Sequence, residues 1–266
     1  SMPAETWDAW GWRVPFLLSL VLLAISLWMR VKLSESPVFQ AMKAAGKTAK
    51  NPLRESFTYP GNGRRLVLAL FGIAAGLTVI WFTAMFTTLG FLQNAMHVEE
   101  SVAQIIVGAA AVMGLGWFVL FGWLSDRVGR KRLIVTGYAL TLLLIFPLYW
   151  VMGSAANPAL TRASEEAPIV VSGPDCGFNP FVKTQDEACG RLLDYLSKRG
   201  LAYDLDAASS VAITVGGNVV SGRSDAELDI ALKAAGYPLG TVVPSAPNMG
   251  IIFLVVMALT ALSGAT

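Results

Sequence analysis

The residues predict an all-α integral membrane protein of five spans, the last incomplete, with a small α+β insertion before the fifth. Three observations carry this. Only 14% of the 266 residues are charged and 55% are hydrophobic, against about 25% charged in a typical soluble domain. The charges are clustered, with none between Arg13 and Arg30, Arg65 and His97, Glu100 and Asp126, or Arg132 and Arg162, and none after Lys233. Each interval holds an apolar run of 16 or more residues, near the roughly 20 that cross about 30 Å of hydrocarbon. Third, residues 153–246 carry helix caps and a turn signal instead of one long apolar run. The composition, with a mean hydropathy of +0.57, excludes an ordinary soluble enzyme. A net charge of +2 gives no basic footprint for nucleic acid.

The spans fall at Val14 to Leu33, Leu66 to Phe91, Val102 to Leu124, Leu133 to Met152 and Asn248 to Ser263. The start, Ser1 to Asp8, is acidic where a signal peptide is basic, and no small-residue cleavage site follows the first apolar run, so that run reads as a retained helix. The last run stops at Ala265-Thr266 without a flanking charge or aromatic anchor. A span cut in the middle of a longer protein is expected to account for both ends. Arg30, Lys32, Lys43, Lys47, Lys50, Arg54, Arg64 and Arg65 lie between spans one and two, and Arg127, Arg130, Lys131 and Arg132 between spans three and four. The turn from Gln93 to Ser101 has no Lys or Arg. Short basic loops stay in the cytoplasm. Loops 34–65 and 125–132 are therefore expected inside the cell membrane, with the N-terminus and residues 153–246 outside. The domains are then 1–152, the exported insertion 153–246, and 247–266.

Within the insertion, Thr184-Gln185-Asp186-Glu187 has capping-box spacing, followed by Ala188, Leu192, Leu193 and Leu196 on one helical face. Val211 to Val215 and Val219 to Ser221 flank Gly216-Gly217-Asn218 as a hairpin. Ser224 to Glu227 repeats the capping box, and Leu228, Ala231, Leu232 and Ala235 form a second stripe stopped by Gly236 and Pro238. Both cysteines, Cys176 and Cys189, lie here, in an oxidising compartment by the predicted topology, and are expected to pair. Closing that loop stabilises the domain by roughly 3 kcal/mol on the chain-entropy relation.

The stretch Gly122-Trp123-Leu124-Ser125-Asp126-Arg127-Val128-Gly129-Arg130-Lys131-Arg132 packs one acid, four bases and two glycines into a tight turn. Gly122 would admit a neighbouring helix, Asp126 can face a helix N-terminus while pairing with a base, and Gly129 allows the reversal. Read blandly, the bases are topology signals alone. The spacing resembles the G-x-L-x-D-R-x-G-R-K/R loop of the major facilitator superfamily, in the copy between its eighth and ninth helices. Gly11 to Ser19 and Leu33 to Phe39 look like the sixth helix and following loop of the metabolite:proton symporter branch. The resemblance runs from about Trp10 to Tyr149 and resumes after Met249; the exported insertion departs from it.

The resemblance implies a partial major-facilitator bundle, helices six to ten of twelve, in which Gly122, Asp126, Arg127, Gly129, Arg130 and Lys131 act as a cytoplasmic gate. It implies proton-driven transport of an organic acid or a compatible solute, with the proton gradient in place of any cofactor. The partners are a small solute, the proton, the lipid bilayer and the missing helices of the same full-length chain. No Asp or Glu lies inside any span, so the coupling acids belong to the missing part, and this piece alone is not expected to transport. For the solute, Thr78, Trp81, Thr83, Thr87 and Thr88 in span two and Gln104 in span three are available, with Thr78, Trp81 and Gln104 as candidate lining residues. Hydroxyls in apolar helices more often bond their own backbone. Gly72 and Gly76 read as a close helix contact, and His97, beside Glu99 and Glu100, as a solvated loop histidine. The chain has no phosphate loop, no H-E-x-x-H and no C-x-x-C, and its single histidine disfavours histidine triads and metal sites. A secondary active transporter, not an enzyme, is the expectation. The rival is a membrane-anchored binding or sensor protein that works through its exported domain.

Overall fold

The computed structural model describes residues 6, 9–32, 37–46, 51–174, 176–177, 182, 185, 187–220 and 224–266. The chain forms two compact units, Ser1–Arg65 and Leu66–Thr266. The first holds a 3-10 turn (Gly11–Arg13), α1 (Val14–Lys32) and two short helices, α2 (Pro37–Ala44) and α3 (Pro52–Thr58), within the expected loop. Arg30 and Lys32 close α1 at its negative end, and Lys32 Nζ lies 4.8 Å from the Trp28 ring centroid. Leu33 and Ser34 to Ser36 of the quoted loop lie outside the described residues.

The second unit contains most of α4 (Asn62–Ala95), with α5 (Glu100–Val128), α6 (Arg130–Ala156) and α10 (Ala246–Ala265); these and α1 are the five helices among the described residues long and apolar enough to cross a membrane. α4, α5, α6 and α10 overrun the expected spans by up to four residues, because helical hydrogen bonding continues past the apolar window and long basic side chains such as Arg64 and Arg65 can extend their charge outward. α10 packs along both α5 and α6, which touch each other little. Lipid supplies no hydrophobic drive between helices, so close approach rests on small residues. A Cβ on Gly114 would stand 3.3 Å from Thr260, one on Gly264 3.2 Å from Trp117, and one on Gly137 2.9 Å from the Ala265 carbonyl. Of the Gly72–Gly76 pair, Gly76 alone is a contact: a Cβ there would sit 2.7 Å from the Tyr138 hydroxyl, whereas Gly72 faces open space.

α4 carries three wide π-helical stretches, Leu70–Ala74, Thr83–Thr87 and Phe91–Ala95. Such segments displace backbone carbonyls from the regular ladder. Two of the carbonyls in them are taken up by tyrosines of α6: Tyr138 donates to Ile73 O at 3.0 Å and Tyr149 to Thr83 O at 3.0 Å.

The inserted domain consists of α7 (Pro158–Glu166), β1 (Ile169–Gly173), α8 (Ala188–Lys198), β2 (Asp204–Ala207), β3 (Ala212–Val215), β4 (Asn218–Val219) and α9 (Asp225–Ala234). Its sheet has the order β2-β1-β3-β4, with β1 and β2 parallel and the other pairs antiparallel. The hairpin turn is the two residues Gly216-Gly217, at φ of 57° and 79°, so Asn218 pairs with Val215 as strand, one position earlier than expected; Ser221 lies outside the described residues. Ser224 and Glu227 form the capping box, whereas Thr184 and Asp186 of the other lie outside the described residues. Leu192, Leu193, Leu196, Leu228 and Leu232 meet Ile169, Val171, Ile213 and Val215 in one core. A disulfide joins Cys176 to Cys189, their Cα atoms 5.4 Å apart. Tyr195 donates its hydroxyl to Asp229, which also pairs with Arg199 at 3.3 Å. Burial, then the Asp229 carboxylate, push the Tyr195 phenol above its ordinary range.

This domain is fastened to the helices. His97 is not a solvated loop residue: it is half-buried, adopts φ 55°, and its Nε2 lies 2.7 Å from Arg199 O. The His97 carbonyl accepts from Val242 N (2.7 Å), and Val242 O accepts from Glu99 N (2.9 Å). Buried Asn157 caps α7 through Leu160 N and donates its Nδ2 to Met96 O at 3.0 Å. A paired backbone and a histidine held by a carbonyl 102 positions away leave no local sign in the loop.

Candidate functional site

The stretch singled out by its charges folds as helix, one glycine, helix. α5 ends at Val128, α6 begins at Arg130, and Gly129 between them has φ 96°, a conformation costly for a side chain. Its N–H donates to Ser125 O at 2.9 Å, and Leu133 N reaches Gly129 O at 3.3 Å. Arg127 lays its guanidinium over Trp123, 4.0 Å from the ring centroid. Asp126 is exposed and has no ion-pair or hydrogen-bond partner among the described residues, so the expected pairing with a base is absent here. Gly122 is exposed with open space around it.

The electrostatics of this turn are mixed for helix stability. Asp126 occupies the last turn of α5, where the helix dipole is negative, and Arg130, Lys131 and Arg132 open α6, where it is positive. Each such placement costs typically 0.3–1 kcal/mol at an exposed site. Arg127, next to Asp126 in the same last turn, has the sign the dipole favours. Arg130, Gly122 and Ser125 also line an open cleft of about 260 Å³ beside the turn, bordered by Gly264 and Ala265 of α10.

Two further cavities lie along the helices. A largely apolar groove of about 520 Å³ is bounded by α4, α6 and α10, with Thr83, Tyr138 and Thr141 as its polar members. Thr141 spends its hydroxyl on Gly137 O at 2.9 Å. A smaller cavity of about 180 Å³ between α4, α5 and α10 is lined by Trp81, Met85, Gly114, Phe118, Thr260 and Ser263, among others. Of the candidate lining residues, Trp81 reaches this cavity, whereas Thr78 and Gln104 line neither. Thr78 donates to Ala74 O at 2.7 Å and Gln104 to Glu100 at 2.9 Å. Thr88 is buried and bonds Thr83 O and the Tyr149 hydroxyl, both at 2.9 Å. Among the described residues no three His, Cys, Asp or Glu come together to hold a metal ion.

The family model of the Major Facilitator Superfamily matches residues 6–171, more than half of the chain. The chain belongs to the Major Facilitator Superfamily. The match covers α1, α4, α5 and α6 and stops in β1, so the rest of the insertion lies beyond it. The chain is similar to the inner membrane metabolite transport protein YhjE of Escherichia coli (34% identity, covering 63% of this chain and 36% of that protein). It is also similar to the shikimate transporter of the same organism (31%; 54% and 33%), and to the glycine betaine/proline/ectoine/pipecolic acid transporter OusA of Dickeya dadantii (28%; 55% and 30%). The chain thus spans about a third of the length of these relatives. No solved structure matches it. Superfamily membership and five long apolar helices make this a multi-pass membrane protein related to solute transporters.

Proposed function

We propose that this chain works as part of a proton-coupled secondary transporter that moves a small organic acid or compatible solute across the cell's inner membrane. Two bundles rock about a central site and expose it to each side in turn. The observation that carries this reading is the charged turn from Gly122 to Arg132 in a superfamily member. Asp126 and Arg130 stand exposed at helix ends that disfavour them, free to bond other elements in one state and to release them in the other. In this reading the turn is the gate on the cytoplasmic face, and residues 153–246 lie outside. Relatives named for shikimate and for betaine and proline support a small polar solute. The missing helices of the full-length protein supply the proton-carrying acids.

The test is uptake by the full-length protein with and without a protonophore. Collapse of the gradient is expected to abolish accumulation, and Asp126→Asn to cut it strongly at unchanged membrane abundance. Wild-type uptake by Asp126→Asn would remove the gating role, and accumulation indifferent to the protonophore would remove the proton coupling.

A further inference from the structure

Two voids follow one another along the seam where α10 packs on α5. The first, about 180 Å³, is lined from α5 by Gly114, Leu115 and Phe118 and from α10 by Thr260 and Ser263. The second is the cleft of about 260 Å³ beside the charged turn, lined from α5 by Phe118, Phe121, Gly122 and Ser125 and from α10 by Gly264 and Ala265. Among the described residues, Phe118 is the one common to both linings. The α5 positions recur every three or four residues, so a single helical face runs through both voids. On α10 the boundary falls between Ser263 and Gly264, which are consecutive. The voids are therefore divided at one aromatic side chain of α5 and a glycine of α10. The chemistry changes at the same place: the first lining carries no Asp, Glu, Lys or Arg, whereas the second includes Arg130.

We infer that Phe118 is a gate in the solute path on the side of the charged turn. In its present place the ring separates the first void from the cleft, and its rotation joins them. The inference rests on the carrier reading and adds a single side chain to the barrier that the turn supplies. Three observations support it. Trp117 and Phe121, on either side of Phe118 along α5, stack at 6.1 Å, whereas Phe118 has no ring contact among the described residues and keeps 45% of its surface exposed. A side chain so placed changes rotamer without disturbing a stack. An apolar ring where an uncharged lining meets a charged one also closes a path by dewetting it, with no need of a tight seal. Finally, Ser263, beside the boundary in the first void, is 1% exposed, and its Oγ has no hydrogen-bond partner among the described residues. Thr260, one turn earlier, spends its hydroxyl on Met257 O at 2.8 Å. Buried polar groups are nearly always satisfied, so the unspent Ser263 hydroxyl is a polar step for what crosses the boundary.

The experiment uses the full-length protein in membrane vesicles, with Ser263→Cys as the reporter and any free cysteine outside this segment replaced by serine; Cys176 and Cys189 are already joined. A membrane-impermeant maleimide is applied to inside-out vesicles, in which the turn faces the reagent, and the rate of thiol labelling is read. Adding Phe118→Ala is expected to raise that rate about two- to twelvefold, the factor set by swinging one ring out of its rotamer well. Phe118→Trp is expected to lower it. Leu115→Ala, which enlarges the first void away from the boundary, is expected to leave it unchanged. Equal rates with and without the Phe118 ring, or an equal rise from Leu115→Ala, overturn the gate and leave the carrier standing. Faster labelling in right-side-out vesicles overturns the orientation on which the gate rests. Failure of correctly inserted wild-type protein to accumulate shikimate, proline or glycine betaine, solutes for which relatives are named, under an imposed proton gradient overturns the carrier and the gate with it. If Phe118→Ala fails to insert, Phe118→Leu decides, with a smaller rise expected.

Discussion

Gly200→Ala is the sharpest probe of the joint between the inserted domain and α4. Gly200 follows α8 at φ 60°, and a Cβ there would stand 2.5 Å from Asn94 O and 2.7 Å from Ala95 Cα. The left-handed backbone alone costs an alanine about 1–2 kcal/mol. The clash adds about 1–3 kcal/mol, because the obstructing atoms are main chain and cannot rotate away. Relief requires the domain to draw back from the end of α4, lengthening the 2.7 Å contact between His97 Nε2 and Arg199 O. Gly236→Ala is the matched control, with φ 87° and nothing within 4 Å of the added carbon, so it bears the backbone penalty alone. Hydrogen exchange read by mass spectrometry on the full chain should separate them. Protection of the Val98 and Glu99 amides, which bond Leu92 O and Val242 O, is expected to fall by about 5- to 150-fold more in Gly200→Ala, the equivalent of 1–3 kcal/mol. Equal losses in the two variants would refute the close approach at Gly200.

Cys176→Ala, or reduction, opens a loop whose ends are 13 positions apart and is expected to cost the inserted domain about 3 kcal/mol. Faster proteolysis within 153–246 would show it, and an unchanged rate would count against a stabilising bridge. Tyr195 and Tyr237 both have phenols raised by burial, so the folded domain holds these protons more tightly than the unfolded chain. Their contribution is fully present below about pH 10, the ordinary tyrosine value, and is lost as pH rises through the folded values. Proteolysis at rising alkaline pH should therefore accelerate sooner in wild type than in the Tyr195→Phe, Tyr237→Phe double variant. Deleting Thr161 to Thr241 from the full-length protein is expected to leave uptake measurable. Solute binding by that segment, with uptake unaffected by any change in the helices, would favour a sensor instead.

The five spans were legible because hydrocarbon allows little else: a charge-free run of sufficient length must be helical. Gly129 was legible as the point of reversal, since two helices meeting across one residue need a left-handed backbone there. The hairpin and the Ser224 cap were legible from local turn chemistry. What escaped was long-range. Tyr138 and Tyr149 reach carbonyls 65 and 66 positions away, and no periodicity in α6 distinguishes them from other half-apolar residues. β1 alternates in burial, but its residues, Ile169-Val170-Val171-Ser172-Gly173, do not alternate in polarity, and β2 alternates as Asp204-Leu205-Asp206-Ala207 over only four exposed residues, so neither stands out as a half-buried strand from sequence. Asn157-Pro158 did carry the N-cap and first-turn pair of a new helix, but it adjoins an apolar run and reads as that run's end. Trp81 stood out in the sequence by its place mid-span, whereas Thr260 and Ser263, which line the same cavity from α10, carry no sequence signal of their own.

The inserted domain is tied down at its beginning by Asn157, midway by the carbonyl of Arg199, and at its return by Val242, all to residues 96–99. A body held at three separate points of its chain has no free hinge about which to swing. It can therefore serve as a fiducial. A spectroscopic label or an antibody fragment placed on it would follow the α4–α5 turn with little motion of its own, marking orientation in images of a particle otherwise hidden in detergent.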